Sequence, residues 1–263
     1  MLKLEAIKSE KIWGYELWFA STHPNGCQED FKSFAGGDYP LLGKIIQADD
    51  SLSIQVHPDD EKAALYENCR GKTECWYVLD AQPDARLIYG LKKDYPPEEL
   101  KAAIEGGTLE SYLNYVPVKK GDFIFIPSGT VHAIGKGMRL LEIQQSSDVT
   151  YRLYDFNRGR ECHVEKGIAC IKNDGLLPPG PFAGSFRCPY FLLEKLCVSG
   201  SYDIRSCGKN TSPSDVMLCF ILDGKGSVNG VSFAAEDAFA FSPEEDLHFE
   251  GDFTFMKITC LAE

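Results

Sequence analysis

Leu52–Asp60, LSIQVHPDD, is the stretch from which the rest of this 263-residue chain is read. Side chains alternate along a strand, so Ser53, Gln55 and His57 share one face while Leu52, Ile54 and Val56 share the other. Pro58 has no N–H to give to a ladder and ends it. A strand face made of Ser, Gln and His is costly to bury unless something polar meets it. A metal ion is the economical partner.

Outward from this stretch, short runs of alternating apolar and polar residues are punctuated by Gly, Pro, Asn and Asp. CWYVLDA (75–81), RLIYGL (86–91), DFIFIPS (122–128), MRLLEIQ (138–144), VMLCFIL (216–222) and FTFMKIT (253–259) read as strands. PPEELKAAIEGG (96–107) has prolines first, acids in its first turn and glycines last, the order of a short helix. SYLNYV (111–116) is expected to add a second, giving a helical insertion near 96–114 in a mainly β protein. GLLPPGPFAGS (175–185) reads as a linker between residues 1–174 and a smaller part, 186–263. Gly121, Pro127, Gly129 and His132 in the first part recur as Asp237, Pro243, Glu245 and His248 in the second, with the glycines lost. This spacing predicts a duplication whose second copy has drifted. The second copy shows no partner His or Glu for His248 on VMLCFIL or its flanks, so one metal site is expected, while His23 and His163 read as structural or surface residues.

Net charge is −12, from 27 basic and 39 acidic residues, which argues against nucleic acid or an anionic membrane as the main partner. A small anionic substrate stays compatible, because screening lets two or three local cations override the global field. MLKLEAIKSEKIWG has no long apolar core of a signal peptide, and no apolar run approaches the ~20 residues of a membrane helix. The ten cysteines form no CxxC pair, and Cys75, Cys197, Cys219 and Cys260 lie in apolar strand-like runs as small hydrophobes. The expectation is a cytoplasmic protein.

The spacing of Gly121, Pro127, Gly129 and His132 resembles the second motif of the cupins, small antiparallel β-barrels with a metal centre in the mouth. Lys136 replaces the Asn usual four residues after that His. The expected fold is therefore two cupin-like antiparallel barrels of the jelly-roll type. QVHPDDE (55–61), GKTECWYVLDA (71–81), IPSGTVHAIGKG (126–137) and QQSSDVTYRLYDF (144–156), with Trp13–Gly14 and LLGKI (41–45), resemble the class I mannose-6-phosphate isomerases. The likeness is close over about the first 160 residues and is to the short bacterial type.

That resemblance implies one zinc per chain held by Gln55, His57, Glu74 and His132. It implies interconversion of mannose 6-phosphate and fructose 6-phosphate through an enediol-like intermediate. Lys72, Glu142 and Arg152 are the implied catalytic residues, with Lys72 and Glu142 competing as the base and Arg152 gripping anionic oxygen. Lys72 is two residues from Glu74 and shares its face. Lys44, Ser53 and Asp148 are the implied substrate contacts, Asp148 also orienting Arg152. The metal serves either as Lewis acid or to bind and orient hydroxyls. Taken singly, each residue also has an ordinary reading: Lys72 a turn lysine, Glu142 an outward acid, Arg152 an exposed charge paired with Asp148 or Asp155. Two rivals stand beside the isomerase, a non-haem iron oxygenase using the same two-His-one-carboxylate set and a non-catalytic sugar-phosphate-binding module. A sugar phosphate is the expected partner of a monomer or homodimer.

Overall fold

Alternating runs become antiparallel strands along most of the chain in the computed structural model, which describes residues 1–262. All six expected strands form, at Glu74–Ala81, Arg86–Leu91, Asp122–Ile126, Met138–Gln145, Met217–Val228 and Leu247–Cys260. Among the described residues there are four short α-helices. The class is mainly β. No helix among the described residues is long and apolar enough to cross a membrane.

The chain forms two compact units. One comprises Lys8–Leu17 and Lys44–Phe182; the other comprises Met1–Ile7, Trp18–Gly43 and the chain from Ala183 onward. A single cut at 175–185 therefore describes only one of the crossings. The early residues join the C-terminal unit through contacts distant in sequence. Strand Leu2–Leu4 adds to Ala238–Phe241, and Tyr39 Oη donates to the Val216 carbonyl at 2.9 Å. Part of the expected linker is itself strand: Gly180–Pro181 pairs with Asp122–Ile126.

The unit holding Lys44–Phe182 is built on two sheets. The five-stranded sheet runs Tyr151–Tyr154, Ile54–Val56, His132–Ala133, Arg86–Leu91, Leu113–Pro117. The centre of the seven-stranded sheet runs Asp122–Ile126, Glu74–Ala81, Met138–Gln145, Leu41–Ala48. On the five-stranded sheet, Ile54, Val56, Ile88, Ala133 and Leu153 form one apolar cluster with Leu100 and Ile104 of helix Pro97–Glu105 and Cys170 of helix Val164–Cys170. With that face covered by helices, Gln55, His132 and Arg152 fall on the opposite face.

Local expectations differ in three places. The strand after Leu52 is only Ile54–Val56, with Ser53 and His57 flanking it, because pairing with both neighbours spans just these residues. SYLNYV is not a helix: one 3₁₀ turn at Leu109–Tyr112 gives way to strand Leu113–Pro117 on Arg86–Leu91. Six residues are too few to nucleate a helix that lacks tertiary support, whereas the sheet edge offers a ladder. Helices Glu29–Ala35, Asp60–Glu67 and Val164–Cys170 carried too weak a pattern to be read. In Asp60–Glu67 only Ala63 is buried, and its ends are fixed instead by Asp59 Oδ1 accepting from Lys62 N (2.9 Å) and by Asn68 at φ 53°.

In the second unit, strands Phe191–Ile204 and Leu247–Cys260 pair over their whole length around an aromatic core. Phe249 and Phe255 stack at 4.9 Å between ring centroids. Cys75, Cys219 and Cys260 are buried as expected, but Cys197 is exposed, its Sγ 3.5 Å from Thr254 Oγ1. It faces outward on a sheet whose other face holds the phenylalanines. His248 is also exposed and pairs through Nδ1 with Asp203 Oδ1 at 2.7 Å.

Candidate active site

Register brings the polar face together. In the five-stranded sheet Arg152 opposes Gln55, and Gln55 opposes His132. Directly opposed residues of antiparallel strands project to the same side, so these three form a row. In the seven-stranded sheet Glu74 opposes Gln144, and Trp76 opposes Glu142. The His57, Glu74 and His132 ligand atoms converge within 4.8 Å of one another. His57 Nε2 lies 3.6 Å from Glu74 Oε2, and His132 Nε2 lies 3.4 Å from Glu74 Oε1. All three side chains are at most 1% exposed.

The imidazoles are preset for metal. His57 Nδ1 is 2.9 Å from the Val149 carbonyl, and His132 Nδ1 is 2.9 Å from the Thr130 carbonyl. A carbonyl can only accept, so each Nδ1 carries the proton and each Nε2 presents its lone pair to the centre. Burial, then the Lys72 charge and the neighbouring His132 ring, hold His57 well below the usual imidazole range, and burial pulls His132 down to about 4. Both rings are thus neutral, the form that ligates. His132 Nε2 is fully buried with no hydrogen-bond partner, and the buried Glu74 Oε2 has the Lys72 ammonium 3.1 Å away. Such groups are expensive to bury, and a divalent cation meets both the imidazole lone pair and the carboxylate. These three residues offer two imidazole nitrogens and one carboxylate, and Gln55 opposes His132 on the neighbouring strand.

Around this group lie the charged residues. Lys72 Nζ is 3.1 Å from Glu74 Oε2 and donates to His57 Nε2 at 3.2 Å. Its approach depends on Gly71, where a Cβ would lie 2.6 Å from Asp59 C and Asp60 N. Glu142 is buried, not outward. Its Oε2 accepts from Trp76 Nε1 at 3.0 Å and its Oε1 faces Lys44 Nζ at 3.2 Å. Burial, then the Glu74 charge, raises the Glu142 pKa, while three acids led by Glu142 outweigh burial and keep Lys44 charged. The anion that makes a buried Lys44 tolerable is therefore Glu142.

Arg152 is half-buried, with Nη1 donating to the Glu161 carbonyl at 2.8 Å and Nε buried without a partner. Neither acid named as its ion-pair partner supplies that bond. Asp148 is exposed, and Asp155 is engaged by Arg158 and Arg160. Ser53 is buried ahead of Gln55. His163, read from the sequence as a structural or surface residue, braces the Arg152 backbone: its N donates to Arg152 O at 2.7 Å and its Nδ1 accepts from Arg152 N at 3.2 Å. Sequence reading missed Gln144, fully buried opposite Glu74 with Oε1 unpartnered. The QQSSD stretch held the one available signal for Gln144: a polar side chain two residues from Glu142 shares its strand face.

A mainly β fold enclosing a His–Glu–His group, with two lysines and an arginine around it, defines a cupin-type protein with a candidate metal centre. The family profile described as phosphomannose isomerase type I, catalytic domain, matches residues 21–84. Mannose-6-phosphate isomerase ManA of Bacillus subtilis (strain 168) is 41% identical over 232 residues, 80% of this chain and 68% of that protein. The mannose-6-phosphate isomerase of Streptococcus mutans is 37% identical over 248 residues, 81% of this chain and 76% of that protein. The crystal structure of the mannose 6-phosphate isomerase from Bacillus subtilis superposes with a TM-score of 0.84 at 27% identity, covering 98% of each chain. The chain belongs to the type I mannose-6-phosphate isomerase family, whose members are aldose–ketose isomerases.

Proposed function

We propose that this chain interconverts mannose 6-phosphate and fructose 6-phosphate at the His57–Glu74–His132 centre, with zinc held by these residues and Gln55. The observation that carries the reading is the buried His57–Glu74–His132 group, in which the His132 Nε2 lone pair has no hydrogen-bond partner and Lys72 stands against Glu74 Oε2. Zinc supplies Lewis acidity toward the sugar oxygens when bound. Everything else is done by the chain. Lys72 moves the proton between the first and second sugar carbons. Its Nζ rests only on atoms of the metal group, and in the loaded site those atoms are engaged elsewhere. Glu142, with both oxygens already met by Trp76 and Lys44, instead fixes the Lys44 charge in the pocket.

Arg152 uses its unpartnered Nε to hold developing negative charge on substrate oxygen. Lys44 and Ser53 are assigned to the polar end of the substrate, and the exposed Asp148 to its rim. All ten cysteines are free thiols, which supports a reducing cytoplasm as the working compartment. Lys72→Ala and Glu142→Gln test the division of labour. Lys72→Ala should lower kcat about 10²-fold or more, the scale of a lost general base. Glu142→Gln should chiefly raise KM. The reverse pattern would make Glu142 the base.

A further inference from the structure

Gly71, Lys72 and Thr73 precede strand Glu74–Ala81, and their amides find acceptors outside its ladder. Gly71 N donates to Asp60 Oδ1 at 2.8 Å, Lys72 N to Pro58 O at 3.1 Å, and Thr73 N to Gln145 Oε1 at 2.9 Å. The set closes on itself, because Gln145 Nε2 donates to the same Asp60 Oδ1 at 2.9 Å. Gln145 N also donates to Thr73 O at 3.1 Å. Gln145 is buried, as are Lys72 and Thr73.

A buried primary amide is costly unless both of its ends are met. Here one end meets a backbone N–H and the other a carboxylate. Asp60 accepts only, so it fixes which way the Gln145 amide points, and the amide then fixes Thr73. Two side chains thus hold the N–H groups of residues 71 and 73, on either side of Lys72, whose own N–H is held by Pro58 O. Gln145 follows Gln144, which opposes Glu74, and Asp60 lies three residues after His57.

We infer that Gln145 and Asp60 are positioning residues that hold Lys72 against the metal centre. The inference rests on Lys72 being catalytic. It assigns these two residues a part in turnover without contact to substrate. Displacing a catalytic group by about 1 Å costs on the order of 10²-fold in rate, so loosening residues 71–73 should appear in kcat rather than in KM or zinc content.

The test compares Gln145→Leu, Asp60→Ala and Asp60→Asn, all as zinc-loaded full-length protein. Zinc content, Tm, KM and kcat per bound zinc are measured well below Tm. Gln145→Leu should lose about tenfold to 10²-fold in kcat with KM within about threefold. Asp60→Ala removes the acceptor that Gly71 N and Gln145 Nε2 share and should be similarly slow. Asp60→Asn keeps an amide oxygen able to accept from both, so kcat should stay within about threefold of the parent. The two Asp60 variants also decide the matter if Gln145→Leu does not fold. Unchanged kcat per zinc in Gln145→Leu with a lowered Tm would overturn the inference and leave a structural brace. Asp60→Ala as fast as Asp60→Asn would overturn it too. Full kcat in Lys72→Ala would instead overturn the catalytic role of Lys72.

Discussion

His132 shows how one hydrogen bond reaches into thermodynamics. Its Nδ1 proton is committed to Thr130 O, and burial lowers its pKa to about 4. In the unfolded chain the ring titrates near the ordinary 6.5, so between pH 6.5 and 4 the unfolded state binds more protons. The stabilisation is fully present above about pH 6.5 and is lost as pH falls toward 4, on the order of 3 kcal/mol for this group. His57, shifted the same way, adds to the slope. Metal-free protein should therefore show Tm falling through that window, with a shallower fall in His132→Gln; a flat profile would contradict the neutral tautomers. The alternation in LSIQVHPDD made legible that Gln55 lies opposite the apolar face of Ile54 and Val56, and the resemblance singled out Glu74 and His132. The partners that fix the rings were not legible, because backbone carbonyls of Val149 and Thr130 carry no side-chain signature. The same holds for Arg152, whose guanidinium takes the carbonyl of Glu161 rather than an acid.

At the scale of elements, strands were legible and their ends were not. Arg86–Leu91 and Glu74–Ala81 announce themselves by β-branched and aromatic residues in alternation. Leu113–Pro117 was obscured because its strand character comes from pairing with Arg86–Leu91, a tertiary effect. Gly71 is the joint on which the site depends, since its missing Cβ lets Lys72 N reach Pro58 O. Gly71→Ala should cost about 1–3 kcal/mol by overpacking and lower kcat, because the clash is with backbone at Asp59 and Asp60 and no side chain can swing aside. Equilibrium unfolding with steady-state kinetics checks this. Unchanged stability and rate would show that the 71–73 segment is not tightly placed.

For the molecule as a whole, the Pro and Gly density at 175–185 suggested a single cut, whereas Met1–Ile7 and Trp18–Gly43 group with the chain from Ala183 onward, which no local pattern showed. Such closure rests on pairings like Leu2 with Ala240, more than two hundred residues apart, which leave no local pattern. Metal binding should register at this scale. A cation bound only by the folded chain stabilises it by about 2.7 kcal/mol at a free concentration of 100 times Kd. For a chain of this size that is a rise of roughly 5–10 °C in Tm, reversed by chelator. The same loss should accompany Glu74→Gln or His57→Ala even with zinc supplied.

The most direct measurement is fructose 6-phosphate formation from mannose 6-phosphate by purified protein, before chelation, after it, and after zinc is returned. Activity that disappears with chelator and comes back with zinc is the predicted result. A folded, zinc-loaded sample that binds the sugar phosphate without turning it over would contradict the isomerase account, as would one that consumes oxygen with iron in the site.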